Sequence, residues 1–244
     1  MTTGNTERQP GHEWVDAERV DQYIARMDER EDAERRPIFE YMARLIGADP
    51  DAGLSVLDIG SGYGPVAAVV LDAYPKAHAI GLDISEAMMA VGRERMARFG
   101  DRFRYMVGDF GDGVLPPEAV EAGPFDVVVS ARAIHHLSAE LMARLYADIH
   151  KNLRPGGSFF NLDTASPETD AMRDRYRAAR RAEHPEDVRP AATANEPRHT
   201  DMFPHHRDAT LIRHLEWLKA AGYDAYDCFY KKADRALIGG FKAA

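Results

Sequence analysis

Three glycines and an aspartate between positions 58 and 64 are the residues of this sequence best suited to hold a small ligand. The stretch VLDIGSGYGPVA is an apolar run that ends at Asp58 and continues into Gly60, Gly62 and Gly64. Glycines at this spacing let the backbone turn sharply and approach a ligand without a Cβ in the way. Read from Gly62, the letters also satisfy the G-x-G-x-x-A dinucleotide fingerprint, so the glycines alone do not choose between cofactors.

Acidic residues follow three successive runs of β-forming residues. Asp58 ends the first run, where a carboxylate is poorly placed for a pyrophosphate and well placed for an ammonium group. Asp83 ends the second, where a carboxylate can accept both hydroxyls of an adenosine ribose. Asp109 follows the third, within range of an adenine amino group. The three carboxylates predict a mostly negative cup that suits a cofactor with an ammonium, a sulfonium and no phosphate.

Histidines at two places and one tyrosine could exchange protons or contact a ligand. His135 and His136 follow the fourth β-rich run; His135 is the first candidate for a general base and His136 the second. Alternatively, one packs against the following helix and the other only shapes the pocket. Candidate contacts from the segments that cover the site are Tyr23, His205 and His206. Alternatively, Tyr23 is an aromatic residue with a packing role, and the two histidines are solvated loop residues. No H-x-x-x-H spacing occurs among them, so the sequence predicts no metal site.

Short β-rich runs alternate with helical patterns from residue 54 onward, which indicates βαβ units around a parallel sheet. A helix over Ala209 to Ala221 is followed by two strand-like runs, Tyr223 to Tyr230 and Arg235 to Phe241, joined by a turn short enough for an antiparallel hairpin. The five earlier predicted strands are Leu54 to Ile59, Ala77 to Asp83, Arg102 to Gly108, Phe125 to Ser130 and Gly157 to Asp163.

Two segments stand outside this alternation. Residues 13–46 are predicted to be helical and amphipathic, with Pro37 near the start of a second helix. The proline-rich segment 164–207 contains one predicted helix, Glu168 to Glu183, and is interpreted as either a lid or a disordered segment. Arginines on one face of that helix could grip an oxyanion or RNA; the favoured interpretation is a solvated face on a helix that packs Met172 and Tyr176 inward.

Composition narrows the classes of partner. The net charge of −9 disfavours non-specific binding to nucleic acid, and no apolar run is long enough to cross a bilayer. The single cysteine, Cys228, cannot form an internal disulfide, which favours a reducing cytoplasm. We therefore expect a cytoplasmic protein that acts on a small molecule, with no membrane or nucleic-acid partner; a homodimer is left open.

The ordered motifs VLDIGSGYGPVA, GLDISEAM, VGDF, FDVVVSARAIHHL and LRPGGSFFNLD resemble those of class I S-adenosylmethionine-dependent methyltransferases over residues 54–163. The resemblance implies an α/β, Rossmann-like, doubly wound and mostly parallel seven-stranded sheet with a C-terminal antiparallel hairpin. Together with the two segments outside the alternation, it predicts an N-terminal helical cap (1–50), a cofactor-binding core (51–163), an insertion or lid (164–207) and a C-terminal helix and hairpin that complete the core (208–244).

The resemblance also implies which residues hold S-adenosylmethionine and its product S-adenosylhomocysteine. Asp58 and the turn of Gly60, Ser61, Gly62 and Gly64 would hold the methionine part. Asp83 would take the ribose hydroxyls, with Ile84 and Met88 against the adenine, whose edge Asp109 and Phe110 would contact. Ser130 and Ala131 would line the sulfonium end.

The sequence thus predicts methyl transfer to an oxygen, nitrogen or carbon of a small molecule, with a metabolite or secondary metabolite as acceptor. Three alternatives are an RNA-modifying methyltransferase or an enzyme that uses a modified S-adenosylmethionine, an NAD(P)-dependent oxidoreductase, and a module that binds the cofactor without turnover.

Overall fold

The computed structural model describes Ile24 and residues 34–183 and 209–244. Its strands are β1 Ser55–Ile59, β2 His78–Asp83, β3 Phe103–Val107, β4 Phe125–Ala131, β5 Leu153–Thr164, β6 Ala225–Lys232 and β7 Arg235–Phe241. Its helices are α1 Arg36–Leu45, α2 Pro65–Ala73, α3 Glu86–Met96, α4 Pro117–Ala122, α5 Ala139–Asn152, α6 Asp170–Glu183 and α7 Leu211–Ala221, with 3₁₀ turns at Ala97–Arg102 and Ile134–His136.

The seven strands form one sheet in the order β3-β2-β1-β4-β5-β7-β6. The first five strands are parallel, and β7 lies antiparallel between β5 and β6. This confirms the predicted doubly wound fold and its C-terminal hairpin. The order reverses between β1 and β4, and in such sheets this switch point, at the carboxyl ends of the strands, is where ligands bind.

Both faces of the sheet are covered, as a parallel sheet requires. Val127 and Val129 of β4 face one core, which includes Met42 of α1 and Val70 of α2. Val128 faces the opposite core with residues of α5 and α7. Because alternate residues of a strand point to opposite faces, the apolar run of β4 supplies both cores and fixes the carboxyl end of the strand at the switch point.

Strand β5 starts earlier than predicted. The sequence Arg154-Pro155-Gly156-Gly157 was expected to separate α5 from a strand that begins at Gly157, yet β5 begins at Leu153. Pairing with β4 jumps from Phe125↔Leu153 to Val127↔Ser158, so the extra residues form an irregularity inside the strand. Gly156 has φ 75°, a conformation that glycine adopts without the strain that a Cβ would introduce.

Helix α6 corrects the interpretation of the insertion. No residue of this helix is buried, and Met172 is 39% exposed, so the expected inward-packing face does not form among the described residues. The helix contacts the turn between β6 and β7 through polar groups instead. The Lys231 ammonium lies 4.7 Å from the Tyr176 ring centre, and Arg180 pairs with Asp234. Its strongly charged sequence explains why polar contacts replace a packed apolar face.

A buried polar group links α5, α7 and β5. The Tyr146 hydroxyl lies 2.8 Å from Nδ1 of His214, and the side-chain amide of Asn161 donates to the same hydroxyl at 3.2 Å. A hydroxyl that accepts from Asn161 can donate its own hydrogen to His214 only if that imidazole is neutral. Burial lowers the pKa of His214 to about 4, although the charge of Asp163 and a backbone hydrogen bond at Thr164 oppose the shift.

His214 should therefore contribute a loss of stability as the pH falls from about 6.5 towards 4, because the unfolded chain binds a proton that the folded His214 excludes. Between pH 7.5 and 4.5 we expect the free energy of unfolding to fall by about 2–3 kcal/mol from this residue. Urea unfolding of wild type and His214→Gln at both pH values measures it. An equal change in the free energy of unfolding of wild type and variant between the two pH values would assign the pH dependence to other groups.

Candidate functional site

An open cavity of about 990 Å³, including the solvent at its mouth, lies at the carboxyl ends of β1, β2 and β4. It coincides with the switch point of the sheet. Eleven of the residues singled out in the sequence line it: Asp58, Gly60, Ser61, Gly62, Asp83, Ile84, Met88, Asp109, Phe110, Ala131 and His136.

The glycine turn forms the floor of this cavity. Gly60, Gly62 and Gly64 all have positive φ, and the backbone N–H groups of Gly60 and Ser61 donate to the Leu82 carbonyl at 2.8 and 3.1 Å. These bonds anchor the turn to the neighbouring strand β2. A Cβ on Gly60 would lie 2.1 Å from the Cβ of Ala133, whereas one on Gly62 would meet no atom of the described residues within 4 Å. Gly60 is thus required by packing, and Gly62 leaves an open place in the cavity wall.

Alanine substitutions at Gly60 and Gly62 should destabilise the protein to different extents, because only Gly60 is required by packing. Gly60→Ala should lower the free energy of unfolding by about 2–4 kcal/mol, because it combines a left-handed backbone with a clash against Ala133. Gly62→Ala should cost only about 1–2 kcal/mol of conformational strain. Denaturant unfolding of the two variants and wild type measures the difference. Equal losses would mean that the turn adjusts around Ala133.

Asp58 is the most unusual carboxylate of the cavity. It is 1% exposed, and its Oδ2 accepts the N–H of Ala67, in the first turn of α2, at 3.1 Å. Its Oδ1 is buried and has no hydrogen-bond partner among the described residues. Burial raises the pKa of Asp58 to about 8, against the opposing hydrogen bond from Ala67. A buried carboxylate oxygen without a donor, in the wall of a cavity, fits a cationic ligand group.

The two other carboxylates of the cup hold the loops beside it. Asp83 accepts the N–H of Gly62 at 2.7 Å and that of Ser85 at 2.8 Å, which ties the glycine turn to the start of α3. Burial raises the pKa of Asp83, although both hydrogen bonds oppose this. Asp109 is exposed and accepts the N–H of Gly111 at 2.7 Å. Each carboxylate oxygen can accept more than one hydrogen bond, so these contacts leave capacity for ligand hydroxyls or amines.

The structure separates the two adjacent histidines. His136 lines the cavity, whereas His135 is only 7% exposed and does not line it. The carboxylate of Asp163 in strand β5 is buried and accepts the backbone N–H of His135 at 3.0 Å. The same carboxylate lies 2.6 Å from Nδ1 of the His135 ring. Burial alone would raise the pKa of Asp163, but the His135 imidazole outweighs it and holds that pKa below its usual value. The cavity is therefore lined by the second candidate, His136, and the choice of the general base stays a prediction.

Two predicted cofactor contacts lie outside the cavity. Ser130 is fully buried, and its hydroxyl donates to the carbonyl of Ile59 at 2.8 Å, which joins β4 to β1. Gly64 packs against Met96 on the far side of the turn, where it caps α2. Tyr23, His205 and His206 lie outside the described residues.

Arg35 and Arg132 also line the cavity, although no sequence pattern predicted either. Arg132 directly follows Ser130-Ala131 at the end of β4, so its position at the switch point could have been predicted from the sequence. Arg35 precedes α1 and had no comparable signal. Within residues 34–183 and 209–244, no group of three or more histidine, cysteine or acidic side chains could hold a metal ion.

A family model described as a methyltransferase domain matches residues 56–157. An uncharacterised methyltransferase of Geobacillus sp. (strain WCH70) is 31% identical over 169 residues, which cover 69% of this chain and 72% of that protein. A ubiquinone/menaquinone biosynthesis C-methyltransferase of Methylobacterium nodulans is 35% identical over 125 residues, 50% of this chain. Since the match covers 47% of the Methylobacterium protein, it spans about half the length of that relative.

The fold is also similar to solved structures. An O-methyltransferase family protein from Burkholderia thailandensis superposes with a TM-score of 0.66 at 18% identity, covering 94% of this chain and 61% of that one. At this identity the likeness bears on the fold alone. In the part of the chain that the structure describes, no helix has the length and apolar character needed to span a membrane.

Proposed function

Because the chain belongs to the class I S-adenosylmethionine-dependent methyltransferase family, we propose that it transfers a methyl group from S-adenosylmethionine to an oxygen, nitrogen or carbon of a small molecule. The observation that carries the proposal is the buried Oδ1 of Asp58, which has no donor among the residues that the structure describes and lies beside the open turn at Gly62. An ammonium group supplies both the donor and the charge that this atom lacks. The pyrophosphate of a dinucleotide would bring negative charge to the same place, which argues against the oxidoreductase alternative.

Each part of the cavity would hold one part of the cofactor. Asp58 and the turn Gly60–Gly62 would hold the amino-acid part, and Asp83 would accept the ribose hydroxyls. Ile84 and Met88 would pack against the adenine, with Asp109 and Phe110 at its edge. Ala131 lies at the end of β4 and would line the sulfonium end in place of the buried Ser130.

The bound cofactor supplies an electrophilic methyl group, and the protein must present the acceptor to it in line. Transfer needs the nucleophile within about 3–3.5 Å of the methyl carbon, so positioning contributes a large part of the rate. A hydroxyl or protonated amine must also lose a proton. His136, which lines the cavity, would accept this proton at a ring nitrogen. The pair Asp163 and His135 would position the His136 ring from the side away from the cavity. The rings of His135 and His136 lie 4.2 Å apart.

The segments around the core would complete the enclosure. We propose that residues 1–50 form a helical cap, that 164–207 form a lid, and that the core 51–163 is completed by 208–244. In support, α1 packs on α2 through Phe39 and Met42, and Arg35 at its start reaches the cavity. Acceptor specificity would then reside in the cap and the lid, outside the motifs shared with relatives.

Thermal unfolding with four ligands in separate samples tests the cofactor first. S-adenosylmethionine and S-adenosylhomocysteine at about 100 times Kd should each raise Tm by about 5–10 °C, the equivalent of about 2.7 kcal/mol. NAD and NADP should not. A shift with the dinucleotides alone would overturn the proposal. Transfer of a labelled methyl group to members of a small-molecule panel would then separate an enzyme from a binding module.

Asp83→Ala should weaken S-adenosylhomocysteine binding by about tenfold or more, because hydrogen bonds to a charged group contribute about 1.5–3 kcal/mol. Isothermal titration measures the affinity. Asp101→Ala removes an exposed acid of the 3₁₀ turn Ala97–Arg102 and is the matched control. Unchanged affinity in a folded Asp83→Ala protein would remove Asp83 from the binding site.

A further inference from the structure

Charge changes sign along the carboxyl edge of the sheet. Asp109, Asp83 and Asp58 lie at the ends of β3, β2 and β1, which are adjacent in that order. The next strand, β4, is followed by Arg132, and β7 begins with Arg235 opposite Thr164 of β5. The acid between them, Asp163, is engaged by His135. The cavity is therefore negative where the cofactor would lie and positive on the side beyond Ala131.

Arg132 is the residue of this positive side with the most unusual conformation. Its φ is 58°, in the left-handed region that bulky side chains rarely adopt, and its N–H donates to the Leu162 carbonyl at 3.0 Å. Arg132 is exposed, lines the cavity and forms no ion pair within the described part of the chain. A strained backbone that presents a charged side chain at a cavity is the kind of outlier that accompanies function.

Other arginines add to the positive charge beside it. Arg35 also lines the cavity and is 6% exposed. Arg235 lies 3.7 Å from Glu34, yet burial first, and then the charges of Arg132, Arg35 and Arg180, lower its pKa. Arg180 is compensated by Asp234. The charge of Arg132 is the largest of those that lower the pKa of Arg235, so an anion bound at Arg132 would offset this unfavourable interaction.

We propose that Arg132 binds an anionic group of the methyl acceptor, a carboxylate or a phosphate, and so selects acidic acceptors. Guanidinium groups match both anions with paired hydrogen bonds. Arg132 stands at the end of the strand whose Ala131 would face the sulfonium, so the anion would be held within a side chain's length of the reacting nucleophile. This inference rests on the proposed function, because it assigns the positive side of the cavity to the acceptor.

The test uses matched aromatic probes on protein saturated with S-adenosylhomocysteine. Benzoate and phenyl phosphate are compared with neutral benzamide and phenol at constant ionic strength, up to about 10 mM, at which even a Kd of 1 mM gives near saturation. Thermal unfolding and isothermal titration report binding. Arg132→Gln removes the proposed contact, and Arg104→Gln removes an exposed arginine of β3 that does not line the cavity.

We expect one or both anions to bind saturably to wild type and to Arg104→Gln, and about 10- to 100-fold more weakly to Arg132→Gln. Benzamide and phenol should bind weakly or not at all. No saturable anion binding, or equal affinity in Arg132→Gln, would overturn the inference. The affinity for S-adenosylhomocysteine, measured first, tests the proposed function separately. If Arg132→Gln weakens that affinity instead, Arg132 contacts the cofactor and the inference is wrong.

Discussion

His136→Gln should lower kcat by about 10²–10⁴-fold with an acceptor that must lose a proton, while leaving the affinity for S-adenosylhomocysteine unchanged. Glutamine retains hydrogen-bonding capacity and similar size but cannot accept a proton near neutral pH. The effect follows from position, because His136 lines the cavity beside Ala131 and Leu137. Steady-state kinetics with an acceptor found in the methyl-transfer screen, together with ligand titration, separates kcat from binding.

His135→Gln is the informative companion variant. It would leave the buried Asp163 carboxylate without its imidazole partner, so stability should fall along with activity. The wild-type pH–rate profile should show a group that must be deprotonated, and His136→Gln should lose that limb. The opposite result would be a stable His135→Gln protein that has lost the pH dependence, together with a His136→Gln protein that retains full turnover. In that case the base is His135, and the His136 ring only shapes the pocket.

The fold could be predicted because local pattern and tertiary role agree along the sheet. Strands β1 and β4 are mostly buried apolar runs, and Asp58, Asp83 and Ser130 stand at or near the ends of β1, β2 and β4, so the existence of these strands could be predicted. The structure differs from the sequence prediction where tertiary contacts override the local sequence pattern. At β5 the pairing with β4 extends through a Pro-Gly-Gly sequence that normally marks a turn. At α6 the expected apolar face found no core to pack against.

The floor of the cavity was predictable and its far side was not. Asp58, Gly62 and Asp83 stand at fixed positions relative to strand ends, so topology alone brings them together. Whether a side chain at such an end points into the cavity depends on its neighbour. The Ser130 hydroxyl donates to a carbonyl of β1, and the His135 ring lies against Asp163, a partner 28 positions away in the sequence. The positive side formed by Arg35 and Arg132 depends on the same long-range packing.

Asp58 should make cofactor binding strongly pH-dependent. In the free protein burial raises the pKa of Asp58 to about 8, so at neutral pH the carboxyl is largely protonated. Pairing with an ammonium group requires the ionised form, and binding must therefore release a proton. Below pH 8 each unit of pH should cost about tenfold in affinity for S-adenosylhomocysteine, or about 10- to 100-fold between pH 8 and pH 6.

The stability of the free protein should change in the opposite direction. A raised carboxyl pKa stabilises the fold below the unfolded pKa of 3.8, and this contribution is lost as the pH rises through about 8. The free protein thus becomes less stable over the same range in which it binds the cofactor more tightly. The buried Oδ1, which has no partner among the described residues, would gain one when a cation binds, so the site favours a charged ligand at some cost to the stability of the empty protein.

Titrations of S-adenosylhomocysteine between pH 6 and 8 measure this slope, and 5′-methylthioadenosine, which lacks the amino-acid part, is the control ligand. The control ligand should show no slope from Asp58. Asp58→Asn, which cannot ionise, should bind S-adenosylhomocysteine weakly at every pH, and its affinity should converge with that of wild type as the pH falls. A flat profile for wild type, or the same slope in Asp58→Asn, would mean that the ammonium group is held elsewhere. In that case the orphaned oxygen would need another donor, and the orientation proposed for the cofactor would have to be reversed or abandoned.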